Sequence, residues 1–338
     1  MTDLTMTFAC GDYDRMEALM RGEIAPEGID LQFDAIQAPR EIFDRMVQKR
    51  EFSMSELSSS EFISMTGQGD CPFVALPVFP SKAFRHGFIC INKNAGIKTP
   101  QDLAGKRIGT PLYTQTAAIW IRGMLENDHG VDLSGVHWLQ GAIEKPGTHG
   151  NAKVPPLLKP VDIAINETGS SLSDLLADGE LDAVLGSRMP DSVVTSGDVE
   201  RLFADFRAEE KNYFARTGIH PIMHLVAIRR EDYEANPWIA QPLYDAFCKS
   251  KDAALAKMGF SGAQKFMLPF LYGDLAEIDE LFGGDPWPYG VDANRKTLEA
   301  LIGYMVEQGL IAESLAADDL FLDVKGEARV HEKTRHHR

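Results

Sequence analysis

Over its first eighty or so residues the chain alternates short apolar runs with segments of helical period, and few architectures accept that order. Leu4 to Ala9 alternates weakly and ends in a polar turn, Cys10-Gly-Asp-Tyr-Asp-Arg15, after which a helical segment runs through Leu19 and stops near Gly22. Ile29-Asp-Leu-Gln-Phe33 alternates apolar with polar, as a half-buried strand does. From Arg40 to Lys49 the apolar residues Ile42, Phe43, Met46 and Val47 return at helical spacing. Phe52 to Leu57 re-enters as a strand, Ser58-Ser-Ser60 offers caps for the next helix, and Phe73 to Phe79 is a further apolar strand. This rhythm predicts an α/β protein with a mostly parallel sheet covered on both faces. Ligands of such sheets gather beyond the carboxyl ends of the strands, here Asp12 to Arg15, Glu56 to Ser60 and Ser81 to His86.

Two later segments resemble each other. Arg85-His-Gly-Phe-Ile-Cys-Ile-Asn-Lys93 and Gly218-Ile-His-Pro-Ile-Met-His-Leu-Val-Ala-Ile-Arg229 each carry histidine at the start of an apolar run that ends in basic residues before a new helix. Read as two crossover strands, they divide the chain into two α/β lobes with a ligand cleft between them. The first lobe is discontinuous, residues 1–93 and 218–338, and the second is residues 94–217.

The second lobe opens on Lys106 to Leu125. A short strand, Lys106 to Gly109, leads through Thr110-Pro111 to a polar turn holding Tyr113, Thr114, Gln115 and Thr116; Ala117, Ile121, Met124 and Leu125 then mark a buried helix face. Free N–H groups and the dipole at such a helix start favour an anion. An ordinary strand-to-helix turn capped by Thr114 or Thr116 fits the same residues. Farther on, Leu172 to Leu176 reads as a short helix and Leu181 to Leu185 as a strand ending at Gly186-Ser-Arg188, whereas Lys145 to Pro160 is an irregular loop. Leu298, Leu301, Ile302, Met305 and Val306 mark an amphipathic helix stopping near Gly309.

A formal net charge of −16 argues against nucleic acid and anionic membrane surfaces as partners. An anionic ligand must therefore be met by a local group of arginines. No stretch approaches the roughly 20 apolar residues that span a bilayer. Asp3 and the lack of a basic segment near Met1 suit a first strand better than an export signal. Cys10, Cys71, Cys90 and Cys248 show no paired spacing and read as reduced thiols, so a cytoplasmic location is expected. The terminal Arg335-His-His-Arg338 reads as a frayed tail.

Two lobes with two crossovers, the phrase Asp102-Leu-Ala-Gly-Lys-Arg-Ile-Gly109 and the phrase Gly179-Glu-Leu-Asp-Ala-Val184 resemble the type II periplasmic binding protein fold. A closer resemblance covers nearly the whole chain. Met54-Ser-Glu-Leu-Ser58, Phe84-Arg-His86, Thr116-Ala-Ala-Ile-Trp-Ile-Arg-Gly123, Gly218-Ile-His-Pro-Ile-Met-His224 and Asp285-Pro-Trp-Pro-Tyr-Gly290 look like the 4,5-dihydroxyphthalate decarboxylase family. That resemblance implies non-oxidative loss of CO₂ from an aromatic dicarboxylate, with protocatechuate as product and no organic cofactor or metal. The chain would need a base for a phenol, an acid for a ring carbon and cations for carboxylates. Association into a homo-oligomer is compatible with it. A non-catalytic binding protein for an aromatic or heterocyclic anion is the rival reading. The pyrimidine-precursor synthases of thiamine biosynthesis share the fold, but the chain has no cysteine-rich iron motif.

His86 and His220, at the mouths of the crossover strands, are the leading acid/base candidates. His224, four residues after His220, is expected on the same strand face and joins them, and Glu56 at a strand end can orient a histidine or bind catechol hydroxyls. These three histidines with Glu56 also offer metal-ligand atoms, although no helical spacing motif supports such a site. Arg15, Arg85, Arg122 and Arg188 are candidate carboxylate clamps. Tyr113, Thr114, Gln115 and Thr116 form the candidate binding turn. Trp120 and Tyr113 suit either ring stacking or a core, and the Asp285 to Gly290 loop either covers the cleft or is a rigid surface turn.

Overall fold

The structure, a computed structural model, describes residues 3–150, 152 and 154–326. Arg335 to Arg338 lie outside the described residues.

Strands of the first sheet are β1 (Leu4–Cys10), β2 (Ile29–Ala35), β3 (Met54–Ser58), β4 (Phe73–Lys82) and β11 (Ile222–Arg229), in the order β2-β1-β3-β11-β4. The second sheet holds β5 (Ile89–Asn92), β6 (Arg107–Thr110), β7 (His137–Gln140), β8 (Ile163–Ile165), β9 (Ala183–Leu185) and β10 (Val199–Arg201), in the order β10-β5-β9-β6-β7-β8. In the first sheet β11 alone runs against its neighbours, and in the second β5 alone does so. Each antiparallel strand is the one that follows a crossing of the chain between sheets. The first crossing lies between Lys82 and Ile89, so the strand ending at Asn92 already belongs to the second sheet.

Local pattern and structure agree where burial is one-sided. The helix Pro39–Lys49 buries Ile42, Phe43, Met46 and Val47. The helix Arg295–Glu307 buries Leu298, Leu301, Ile302 and Met305, and Gly309 follows in the left-handed region at φ 72°. Strands β7, β8 and β10 carry no sequence signal of comparable strength, being three or four residues long and incompletely buried.

The helix Thr116–His129 joins the two cores. Ala118, Ile121 and Leu125 pack with Ile108 and Trp138 around the second sheet, whereas Ala117, Ile119 and Trp120 pack into the core of the first. Trp120 Nε1 donates to the Ile222 carbonyl of β11 at 2.9 Å. Gly123 lets Tyr304 approach so closely that a Cβ there would lie 2.2 Å from the ring, hence no other residue fits without moving that helix. A helix buried on two sides explains why its apolar residues exceed the single stripe that the spacing predicts. No helix among the described residues is long and apolar enough to cross a membrane.

Candidate active site

Antiparallel pairing of β3 with β11 sets His224 opposite Ser58 and Val226 opposite Glu56. Opposed residues share a face and side chains repeat every second residue, so Glu56, Ser58 and His224 project together. Glu56 is wholly buried. Its carboxylate meets His224 Nδ1 at 2.5 Å, the Tyr13 hydroxyl at 2.8 Å and the Gly11 N–H at 3.2 Å, with the Cys10 thiol at 3.5 Å. Burial alone would push this carboxyl up, but the His224 charge and the hydrogen bonds from His224, Tyr13 and Gly11 outweigh it and hold the group below its ordinary value. An ionised carboxylate only accepts, so Nδ1 of His224 is the donor and Nε2 is the nitrogen left for chemistry. The Cys10 thiol and Tyr13 phenol are pushed up, first by burial and then by Glu56, and both stay protonated as donors.

Arg15 stands beside this pair. Its guanidinium lies over the Tyr13 ring at 4.1 Å and the Trp287 ring at 4.4 Å. Nε donates to the Pro80 carbonyl at 2.6 Å and Nη1 to Asp14 at 3.1 Å. Those contacts fix the plane of the fork while using two of its five donors. Trp287 donates to the Phe79 carbonyl at 2.8 Å and Gly290 N–H to Pro77, so the Asp285 to Gly290 loop packs along β4 as a rigid support for Arg15.

The start of the Thr116–His129 helix faces the end of β3. Gln115 is the N-cap residue and makes no side-chain cap. Thr116 Oγ1 instead meets Ser58 Oγ at 3.0 Å and Ser60 Oγ at 2.9 Å, and accepts the Ser60 N–H at 3.1 Å; Ser60 Oγ donates to the Thr114 carbonyl at 2.9 Å. The serines expected to cap their own helix spend their hydroxyls on the other lobe. Helix Ser59–Gly67 accordingly has no side-chain cap. Gln115 Nε2 reaches Ser187 Oγ at 3.0 Å and His149 at 3.3 Å. Arg85 donates to the Ser187 carbonyl at 3.0 Å and lies against Met223. It is buried, which lowers its pKa to about 10. Arg188, next to Ser187, is exposed.

The structure leaves other sequence candidates out of the Glu56 network. Arg122 is buried in the second core, its Nε on Gln308 at 2.9 Å, Nη2 on the Tyr113 carbonyl at 2.8 Å and its charge 3.7 Å above the Tyr113 ring. Tyr113 packs against Trp138 and is buried with it. His220 precedes β11 instead of lying in it, and the register slips between Ile222 and His224. The even spacing therefore does not put the two histidines on one face. His220 stacks on Phe84 at 4.7 Å and borders a cavity of about 600 Å³ beneath the helix Leu271–Phe282, which Arg15 and Trp287 also line. Burial, then the Lys82 charge, drives its pKa well down. His86 sits among Phe203, Tyr213 and His129; burial, with the charges of His129 and Arg216, lowers it to about 4. Tyr13, His149, Ser187 and the ring of Trp287 touch the candidate residues without being named as candidates from the sequence. Tyr13 lies in the polar turn Cys10 to Arg15, Ser187 beside Arg188 at a strand end and Trp287 in the Asp285 to Gly290 loop, whereas His149, inside the irregular loop Lys145 to Pro160, carried no signal.

Residues 21–145 match the family model described as NMT1/THI5 like. The chain is 36% identical over 323 residues to the 4,5-dihydroxyphthalate decarboxylase of Comamonas testosteroni, covering 95% of this chain and 97% of that one. It is 41% identical over 199 residues to the enzyme of the same name from Pseudomonas putida, covering 58% of this chain and 75% of that one. Among solved structures, the periplasmic aliphatic sulphonate binding protein of Escherichia coli superposes with a TM-score of 0.53 at 10% identity, over 94% of this chain and 97% of that one. A Candida albicans protein with the generic periplasmic binding protein fold gives 0.51 at 13% identity, over 96% of each chain. Both likenesses concern the fold alone. The two-sheet topology, with one antiparallel strand in each sheet, is that of this fold. Given 36% identity along nearly all of both chains, the protein belongs to the 4,5-dihydroxyphthalate decarboxylase family.

Proposed function

We propose that the protein removes one carboxylate from 4,5-dihydroxyphthalate without oxidation, yielding protocatechuate and CO₂. The observation that carries this reading is the His224–Glu56 pair, an imidazole with one nitrogen held by a buried carboxylate and the other left for proton transfer. The family relatives, which bear the name of that activity, supply the substrate class.

In this scheme the substrate hydroxyl para to the departing carboxylate gives its proton to water, and the phenolate's electron pair raises density at the ring carbon. Protonated His224 delivers its Nε2 proton to that carbon, which becomes tetrahedral. The bond to the carboxylate then breaks, its electron pair returns to the ring, and CO₂ leaves. The product phenolate then takes a proton back from water and His224 is reprotonated from solvent, so overall one proton replaces one CO₂, and the substrate's own oxygen supplies the electron pair and takes it back. Glu56 is the positioning residue that holds the His224 tautomer and stabilises its charged form. Arg15, stacked on the rings of Tyr13 and Trp287, receives a carboxylate, and Gln115 and Arg188 are the polar groups the second lobe would offer the substrate. His86 and His220 take no step.

The reaction as written needs no cofactor. A cytoplasmic setting is supported by the four unpaired cysteines. The net charge of −16 speaks against nucleic acid as a partner. The direct test is incubation of purified protein with 4,5-dihydroxyphthalate while following CO₂ and protocatechuate. Tight binding of the diacid without CO₂ release would replace this reading with that of a binding protein.

A further inference from the structure

Away from the Glu56–His224 pair, three other potential ligands converge. His86, His129 and Glu209 each present a ligand atom, and these atoms lie within 4.8 Å of one another. They come from three separate elements. His86 is in the short turn His86–Phe88, between β4 of the first sheet and β5 of the second; His129 ends the helix Thr116–His129; Glu209 lies in the first turn of the helix Phe206–Thr217. His86 is 2% exposed and its Nδ1 has no hydrogen-bond partner. A buried imidazole nitrogen without a partner forfeits a hydrogen bond, so it calls for an explanation.

From this juxtaposition we infer that His86, His129 and Glu209 form a binding site for a divalent transition metal of the Zn²⁺ class, separate from the substrate site, that ties the first crossover to two helices of the second lobe. Two imidazoles and one carboxylate are a common ligand set for such an ion, with a fourth position left to water. Tetrahedral ligands about 2.0–2.2 Å from the ion stand roughly 3.3–3.6 Å apart, so the three groups close by about an ångström or a little more on binding. His129 and Glu209 are half-buried, which gives the ion a path from solvent. Neutral imidazole is the ligating form, so binding is expected to weaken as pH falls. Arg216 is the opposing charge nearby, and it is paired with Asp128 at 2.6 Å. Glu210 is engaged elsewhere, by the Gly87 N–H at 3.3 Å.

The test titrates Zn²⁺, and Co²⁺ as a spectroscopic probe, into chelator-treated full-length protein. One equivalent of Zn²⁺ is expected to bind, Co²⁺ to give the intense visible bands of a four-coordinate site, and melting to rise by about 3 °C or more when free Zn²⁺ is about 100 times the dissociation constant. His129→Ala and Glu209→Gln, both at half-exposed positions, should each weaken Zn²⁺ by more than about 100-fold, the upper end of what losing an outer partner costs. Both should keep the parent's circular dichroism and its metal-free turnover, and His224→Asn should bind Zn²⁺ like the parent. The inference fails if no equivalent binds, if both ligand variants bind like the parent, or if His224→Asn is the variant that loses the ion. The Zn²⁺ and Co²⁺ titrations, the melts and the circular dichroism do not depend on which substrate the protein decarboxylates.

Discussion

His224, near the start of β11, and His86, in the turn before β5, occupy opposite electrostatic environments. His224 gives Nδ1 to a buried carboxylate that itself has further donors in Tyr13 and Gly11. His86 is as deeply placed as a core residue but has no acid on its Nδ1, and burial with neighbouring positive charge drives it neutral. His220 resembles His86, stacked among aromatic rings with its Nδ1 unpartnered. Desolvation disfavours an imidazolium unless a carboxylate accompanies it, and among the three only His224 has a carboxylate on its Nδ1.

The largest expected effect breaks that contrast directly. His224→Asn keeps a donor near the Nδ1 position but has no proton to deliver, so turnover should fall by about 10²–10⁴-fold while the diacid still binds. His86→Asn and His220→Asn should stay within a few-fold of the parent per folded molecule, although either can lower the melting temperature. Single-turnover product formation and calorimetry on the same preparations decide it. Full loss in His220→Asn with His224→Asn intact would transfer the proton to the cavity beneath the helix Leu271–Phe282.

Next in size is Glu56→Gln. The amide fills the same space but no longer stabilises charged His224, and an expected loss of about 10²-fold in turnover should come with little change in substrate affinity. A weakened affinity at unchanged turnover would instead assign Glu56 to the catechol hydroxyls.

Arg15→Lys should cost about 10- to 150-fold in affinity for the diacid, because a point charge replaces a fork stacked on two rings. Arg188→Lys should cost less, since Arg188 is exposed. Arg85→Lys should act mainly on stability, through its tie to the Ser187 carbonyl. Calorimetry and thermal melts on the three variants separate clamp from tie.

The smallest effect is on the acid side of the stability curve. Folding lowers the Glu56 pKa below its ordinary 4.5, so the unfolded chain binds more protons there. Its contribution is complete above about pH 4.5 and is lost as pH falls through the folded value. Glu56→Gln should flatten that part of the curve relative to the parent in denaturant titrations between pH 3 and 6, and an unchanged slope would mean that Glu56 is not the ionised partner.

The sequence by itself determined the strand–helix rhythm, the buried face of Pro39–Lys49, the turn at Gly309 and the family, because periodicity, turn chemistry and short motifs are local properties of neighbouring residues. It also offered all the acid/base candidates, including the pair that the structure joins. What it left undecided was which of them meet. Glu56 finds His224 across 168 residues and Tyr13 across 43, contacts that no local period encodes. The slip in register before His224 undid the even-spacing inference for His220, and Arg122 proved to be a buried link to Gln308 despite its place just after the polar turn. The cap expected from Ser58 and Ser60 gave way to Thr116 for the same reason: a hydroxyl bonds whichever partner packing brings within reach, and here that partner belongs to the other lobe. Strand register, burial and the meeting of the two lobes are settled by pairing and packing over long distances in the chain, so only the tertiary structure pairs one of these histidines with the buried carboxylate.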